Sequence, residues 1–155
     1  MTNSEPDKKS KDLFKEALVI FLVGMHSILL GLFIYFFTDF FYKVFFAASV
    51  ENLFFVRQSG IFLFLAGFFY LYTLLNLRKL YNLILLVIFS KIVAVIFLIS
   101  NAGHTAAPLM VYLAAFFDGL MGLLLAIVYF RVKKTVSLTK SNIIRAEKAS
   151  LRKAA

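Results

Sequence analysis

Three ionisable side chains, His26, Lys91 and Asp118, lie within long apolar stretches of the sequence. A charge in hydrocarbon costs roughly 2.5–3.5 kcal/mol on insertion scales, so such a group needs a partner or water. A lysine and an aspartate that meet there form an ion pair, which a histidine can join by donating a hydrogen bond. The cluster has two interpretations: a working site for a proton, an anion or the polar head of a ligand, or a structural pair that fixes helix packing.

The composition indicates that much of the surface faces something other than water. Hydrophobic residues make up 62% and charged residues 16% of the chain, whereas soluble domains have about 45–50% and about 25%. The absence of cysteine excludes disulfides, thiolate nucleophiles and cysteine-ligated zinc. There is no phosphate-binding loop, dinucleotide fingerprint or HExxH pair. Because His26 and His104 lie at different depths, the sequence predicts neither a metal site nor a cofactor.

Four apolar runs are each long enough to cross a bilayer, which takes about 20 helical residues. They cover about residues 17–37, 53–75, 80–100 and 108–130. Backbone groups in lipid must bond within the segment, so the runs are predicted to be helices. The predicted fold class is an all-α polytopic membrane protein, a four-transmembrane-helix bundle over residues 14–130. The aromatic-rich segment 38–52 is too short and too charged to span, which predicts an amphipathic segment in the outer interface.

Lysine and arginine are distributed unequally between the two ends of these spans. Fourteen of them lie in the N-terminal flank, the connection between spans two and three, and the C-terminal tail. The opposite connections contain only Lys43, with Arg57 at a helix margin. This asymmetry predicts that both termini are cytoplasmic.

The two tails differ in kind. Residues 1–13 form a polar tail, and residues 131–155 a basic one. The basic tail is predicted to lie on anionic lipid headgroups, with a docking site for a partner protein as the alternative. Since the net charge of +9 is concentrated in these flanks, the membrane surface is a simpler partner than nucleic acid.

Counting about 1.5 Å of rise per residue gives each ionisable group a depth. Lys91 lies about 16 Å from the cytoplasmic end of its span, and Asp118 and His26 lie about 18 Å from theirs. The three groups are therefore predicted at one level near the midplane, where Lys91 and Asp118 pair. Arg57, about 27 Å up, is predicted to be an interfacial anchor to lipid phosphate or to Asp39 or Glu51.

Small residues recur at helical spacing on three of the spans. They include Gly24 and Gly31 on the first span, Gly60 and Gly67 on the second, and Gly122 on the fourth. Small residues let membrane helices approach closely. On the fourth span the stripe includes Asp118, which is therefore predicted to face a neighbouring helix.

Part of the sequence resembles a known group of proteins. An Arg-x-x-Gly opening (Arg57, Gly60) is followed by a later glycine with an aromatic residue (Gly67, Tyr70), by a basic turn, and by spans carrying Lys91 and Asp118. Over about residues 30–130 this is similar to the DoxX-like small four-helix bacterial membrane proteins. The resemblance implies a four-helix fold in a bacterial inner (cytoplasmic) membrane. Activities in the group are diverse, so no catalytic residue carries over.

Three functional hypotheses follow. Small size, little mass outside the membrane and the lack of a catalytic signature favour a non-catalytic accessory or assembly subunit, which binds other membrane subunits or associates with itself. The alternative is a small carrier or ligand-binding membrane protein that uses His26, Lys91 and Asp118 at the midplane. The third is an enzyme acting on a lipid or quinone, which no nucleophile or metal set supports.

Overall fold

The computed structural model describes residues 6–47, 52–105 and 107–154, and within these ranges it is helical with no β-strand. Within these ranges six α-helices follow one another, with a 3₁₀ turn at Thr73–Asn76 and another at Ala102–His104. The helices are α1 Pro6–Phe36, α2 Thr38–Phe46, α3 Leu53–Tyr72, α4 Leu77–Leu80, α5 Leu83–Asn101 and α6 Pro108–Ala154.

Four helical stretches are long and apolar enough to cross a membrane, as the sequence predicts. They are Leu13–Phe36, Leu53–Leu80, Leu83–His104 and Pro108–Arg152. Each also exposes large apolar side chains around much of its circumference, among them Leu22, Phe62, Phe97 and Leu123. Apolar surface of this extent is typical of a protein surrounded by lipid.

Helix α3 ends at Tyr72, before residue 75, where the second span is predicted to end. The Thr73 hydroxyl donates to the Tyr70 carbonyl at 2.7 Å, and the chain tightens into the 3₁₀ turn there. Asn76 then leaves the helical region, with φ −153°, and its side chain accepts the Lys79 N–H at 3.3 Å. The short helix α4 follows, and α5 begins at Leu83 rather than at residue 80. Polar side chains bonded to the backbone thus set this boundary, and apolar periodicity alone does not show it.

Glycines hold α1 and α3 together as an antiparallel pair. Gly24 lies against Gly67, and Gly31 lies against Gly60. A Cβ atom at Gly31 would lie 2.6 Å from the Gly60 carbonyl oxygen, and one at Gly67 would lie 2.7 Å from the Gly24 carbonyl oxygen. The two backbones are therefore close enough that only glycine fits at these positions.

Helices α5 and α6 form a second antiparallel pair, so the N-terminus of α1 and the C-terminus of α6 lie at the same end of the bundle. We call this the tail end; it also carries α4, and α2 lies toward the other end. The largest buried cluster lies in the tail half. It is built from Ile20, Val23, Tyr70, Leu77, Ile84, Val87, Leu125, Val128, Tyr129 and Val132. In lipid, which is as apolar as these side chains, van der Waals packing would hold such a cluster together, with no gain from removing water.

Helix α2 occupies the first part of the segment predicted to be interfacial. The Thr38 hydroxyl is buried and donates to the Ile34 carbonyl at 2.7 Å, which joins α2 to the end of α1. Phe33, Phe37 and Phe41 form a cluster of aromatic rings across the junction. Residues 48–51, at the end of the predicted segment, lie outside the described ranges. Its position in an outer interface stays a prediction.

Helix α6 does not end at residue 130, where the sequence analysis placed the start of a basic tail. It continues without interruption to Ala154. Residues 131–154 contain no glycine or proline and are rich in lysine, arginine and alanine, which favour helix. Residues 6–13 of the predicted N-terminal tail are helical as well, because α1 starts at Pro6; residues 1–5 lie outside the described ranges.

Candidate functional site

The structure brings Lys91 and Asp118 together. The Lys91 Nζ donates to Asp118 Oδ1 at 2.5 Å, across the interface of α5 and α6. The Lys91 side chain is 6% exposed and that of Asp118 is 21% exposed. Two opposite charges in contact attract strongly when little water surrounds them, and this attraction offsets part of the cost of burying each charge.

Gly122 makes room for this ion pair. A Cβ atom at Gly122 would lie 3.3 Å from the Cβ atom of Lys91, so a larger residue would press on the stem of the lysine. Gly122 lies one turn beyond Asp118 on α6, which lets α5 pass close by while the ammonium group reaches the carboxylate. Gly122, a member of the row of small residues on α6, therefore helps to position the ion pair.

An open groove between α5 and α6 runs over the ion pair. Its first part has a volume of about 340 Å³, and its lining includes Lys91 and Asp118 together with apolar and small residues, among them Val95, Gly119, Gly122, Leu123 and Ala126. A second part of about 480 Å³ shares Val95, Gly119 and Leu123 and continues toward Tyr112. We call this continuous surface the α5–α6 groove. Most of its lining is apolar, and the side chains of the ion pair are 6% (Lys91) and 21% (Asp118) exposed.

His26 is not hydrogen-bonded to the pair. The imidazole is on α1 and is exposed on the outer surface of the bundle. The structure therefore joins two members of the predicted three-membered cluster, Lys91 and Asp118, and leaves His26 outside their hydrogen bond. The common level of all three groups stays a prediction.

A second polar contact links the two helix pairs. The hydroxyl groups of Tyr70 on α3 and Ser90 on α5 lie 3.0 Å apart. Ser90 directly precedes Lys91, but its hydroxyl also donates to the Val87 carbonyl and it takes no part in the ion pair. Ser27, fully buried, donates to the Val23 carbonyl of its own helix. These serines therefore bond elsewhere, although they lie at a similar depth.

Arg57 is exposed near the start of α3. Among the described residues no ion pair joins it to Asp39, and Glu51 lies outside the described ranges. Its predicted role as an anchor to lipid phosphate stays a prediction. His104 lies in the 3₁₀ turn before α6, distant in sequence and element from His26.

Glu16 is a buried acidic residue that the sequence analysis did not single out. It is 8% exposed, and its Oε1 lies 3.8 Å from Nη1 of the exposed Arg131 on α6. Its Oε2 is buried and has no hydrogen-bond partner in the part of the chain that the structure describes. Glu16 precedes Ile20 by four residues and Val23 by seven, on the face of α1 that enters the buried cluster. This helical spacing from Ile20 and Val23 is the feature of the sequence that could have predicted the burial of Glu16.

The ion pair neutralises the charges of Lys91 and Asp118 in apolar surroundings, and it joins α5 to α6. Among the residues that the structure describes, no three histidine, aspartate or glutamate side chains are grouped so that they could hold a metal ion. The chain matches no protein-family model, no curated protein and no solved structure. The site must therefore be interpreted from its own geometry.

Proposed function

We propose that this protein is a non-catalytic accessory or assembly subunit of a larger membrane complex, and that the α5–α6 groove receives a transmembrane helix of a partner subunit. The observation that carries the proposal is an exposed glycine, Gly119, in an open, apolar groove. A glycine inside a helix costs roughly 0.5–1 kcal/mol relative to alanine. In membrane helices such positions let a second backbone approach closely.

The covered ion pair supports the same proposal. A site for a polar ligand has polar groups turned toward its opening, whereas here Lys91 is almost fully buried and the groove walls are apolar. An apolar surface with small residues suits another helix. Lys91 and Asp118 then act beneath the groove, where they hold α5 and α6 in register.

Gly119→Leu tests this proposal, because it fills the groove at a position where a Cβ atom has room. A Cβ atom at Gly119 meets only Val95 Cγ2, at 3.7 Å. We expect wild-type protein in mild detergent to purify with a second subunit, and Gly119→Leu to lose that subunit with an unchanged folded yield. Phe117→Leu, an exposed change on α6 outside the groove, is the matched control. Recovery of the wild type only as a monodisperse particle of this chain alone would contradict the proposal.

A second candidate function is a small carrier or ligand-binding protein that uses His26, Lys91 and Asp118. The partial exposure of Asp118, 21%, at the lining of the open groove favours it. Here His26→Leu and Asp118→Asn should each remove a co-purifying small molecule, detected by mass spectrometry, without reducing folded yield. If wild-type protein purifies with a second subunit and Gly119→Leu loses it, the result supports the first function and not this one.

We further propose that the protein lies in a bacterial inner membrane with both termini in the cytoplasm. The distribution of lysine and arginine supports the orientation, and the resemblance to DoxX-like proteins supports the location. Because the chain has no cysteine, single cysteines report sidedness directly. A membrane-impermeant maleimide should label His104→Cys in intact cells and Ser137→Cys only after lysis. The reverse pattern would overturn the orientation.

A further inference from the structure

The ion pair of Lys91 and Asp118 has hydrogen-bonding capacity that the rest of the described chain does not use. A lysine ammonium group has three N–H donors, and a carboxylate has two acceptor oxygens. The described residues supply the ammonium group with one acceptor, Asp118 Oδ1, and they supply the other oxygen, Oδ2, with no donor. Because the Lys91 side chain is only 6% exposed, bulk water does not readily serve its remaining N–H groups. The ion pair therefore needs further hydrogen-bond partners.

The α5–α6 groove gives access to this ion pair. Lys91 and Asp118 both contribute to the lining of its first part, and the Asp118 side chain is the more accessible of the two. The exposed Gly119 follows Asp118 directly on α6, so its Cα atom lies only about 1.5 Å further along the helix axis. A helix that packs its backbone on Gly119 therefore passes beside the ion pair.

The net charge of the ion pair limits what such a helix can carry. Lys91 and Asp118 neutralise each other, so a third ionised group in the groove would have no counter-charge in apolar surroundings. A neutral side chain avoids this cost, but it must both donate to the Asp118 carboxylate and accept from the Lys91 ammonium group. A carboxamide has these two functions on separate atoms, an NH₂ group and a carbonyl oxygen. Asparagine and glutamine therefore match the unused capacity.

A second copy of this chain does not match the ion pair in this way. Two copies inserted in one membrane share an orientation, so a symmetric contact about Gly119 would bring two Asp118 carboxylates to one level. Gln58 is five residues from the start of α3, whereas Asp118 is ten residues from the start of α6, which is a difference of about 8 Å in level. The other carboxamide residues are Asn3, Asn52, Asn76, Asn82, Asn101 and Asn142. None of these lies near the middle of a spanning stretch, so the carboxamide must come from another protein.

We propose that the partner helix received by the α5–α6 groove carries an asparagine or glutamine that bonds to both members of the ion pair. Its NH₂ group donates to Asp118 Oδ2, and its carbonyl oxygen accepts from Lys91 Nζ. A small residue of the same helix packs on Gly119, as is typical where membrane helices approach closely. The inference rests on the proposed function and adds the chemistry by which the partner subunit is selected.

The test measures the binding of three designed transmembrane peptides to the full chain in vesicles of phosphatidylcholine. All three are leucine-rich helices with a central glycine. The first has an asparagine four residues from the glycine, on the same face, and the second has leucine at that position. The third has the composition of the first, but its asparagine is two residues further along and lies on the opposite face. Energy transfer from a dye on Ser137→Cys to a dye on the peptide reports binding.

We expect the first peptide to bind the wild type about tenfold more tightly than the second or the third, the effect of one polar contact between membrane helices. Lys91→Met with Asp118→Leu removes both charges and should abolish this preference while binding of the second peptide stays unchanged. Gly119→Leu should weaken binding of all three peptides, whereas the matched control Phe117→Leu should bind them as the wild type does. Circular dichroism shows which variants are folded. If the double variant is not folded, the first and third peptides on the wild type decide the result.

Four outcomes would overturn the inference. Equal binding of the first two peptides would do so and leave the proposed function standing. A preference that the folded double variant retains would show that the asparagine binds elsewhere. Association of two labelled chains that Gly119→Leu removes would assign the groove to a second copy. If no peptide binds, the inference fails, and purification of the wild type without a second subunit would then show that the proposed function fails as well.

Discussion

The two helices of each pair are held together in different ways. Between α1 and α3, glycines on both helices bring backbone against backbone. Between α5 and α6, an ion pair joins the helices at one level and an open groove remains beside it. Close packing of backbones forms the α1–α3 interface, and an ion pair fixes the α5–α6 interface.

This difference has a physical basis in an apolar solvent. Membrane helices gain nothing by hiding apolar side chains from lipid, so they associate through close packing or through polar contacts. Close packing occupies the whole contact surface between two helices, as it does between α1 and α3. A single strong polar contact holds two helices while it leaves part of their shared surface free, and the α5–α6 groove is that free part.

Breaking the ion pair should have the largest effect on stability. Asp118→Leu leaves the Lys91 charge buried without its partner, which costs about 3–5 kcal/mol of unfolding free energy. The double variant Lys91→Met/Asp118→Leu should regain most of that loss, because it removes both charges. Unfolding in detergent, followed by circular dichroism, measures both. If instead each single variant folds as well as the wild type but loses a bound molecule, the pair is a working site.

Enlarging a glycine of the α1–α3 interface should come next. Gly31→Ala places a methyl group 2.6 Å from backbone atoms of Gly60 and Phe64, so the helices must separate, at about 1–3 kcal/mol. Gly103→Ala is the control, since a Cβ atom there meets nothing within 4 Å. The same unfolding measurement compares them. Equal stability of the two variants would mean that shape does not close this interface.

The hydroxyl contact between the pairs should contribute less. Tyr70→Phe removes the contact with Ser90 and should cost about 1 kcal/mol. Tyr72→Phe is the matched control, because Tyr72 is exposed. A loss confined to position 70 in thermal unfolding would show that this contact ties the two pairs together.

The smallest effect should have the opposite sign. Glu16→Leu removes a buried carboxylate oxygen that has no hydrogen-bond partner among the described residues. The ion pair with Arg131 contributes little stability, because Arg131 is exposed. We expect a stability equal to the wild type or higher by about 1 kcal/mol. A clear loss of stability would mean that Glu16 has an essential partner at the tail end.

Much of this architecture can be predicted from the sequence. Four apolar runs define the spanning helices because a membrane requires both length and internal hydrogen bonding. Counting residues from the span ends gives Lys91 and Asp118 the same level because α-helices rise uniformly. Glycine spacing indicates that α1 and α3 approach closely, since few other reasons favour glycine in a helix.

Other features depend on packing that no single helix reveals. The direction in which His26 points is set by the rotation of α1 against its neighbours. The burial of Glu16 follows from the same rotation, although its spacing from Ile20 gives a hint. The α5–α6 groove exists because two helices diverge beside their ion pair. The extension of α6 is a local preference that the change from apolar to basic composition at Arg131 conceals.

The unbroken course of α6 also sets an angular phase between the α5–α6 groove and the exposed helix beyond Val136. Ala126 in the groove and the exposed Ile144 are eighteen residues apart, which is about five whole turns. They therefore lie on one line along the helix, so a partner helix bound in the groove and continued in the same direction would reach Ile144. One residue inserted near position 134 would turn Ile144 away from the groove by about 100°. The composition of both regions would stay the same, but their alignment would be lost.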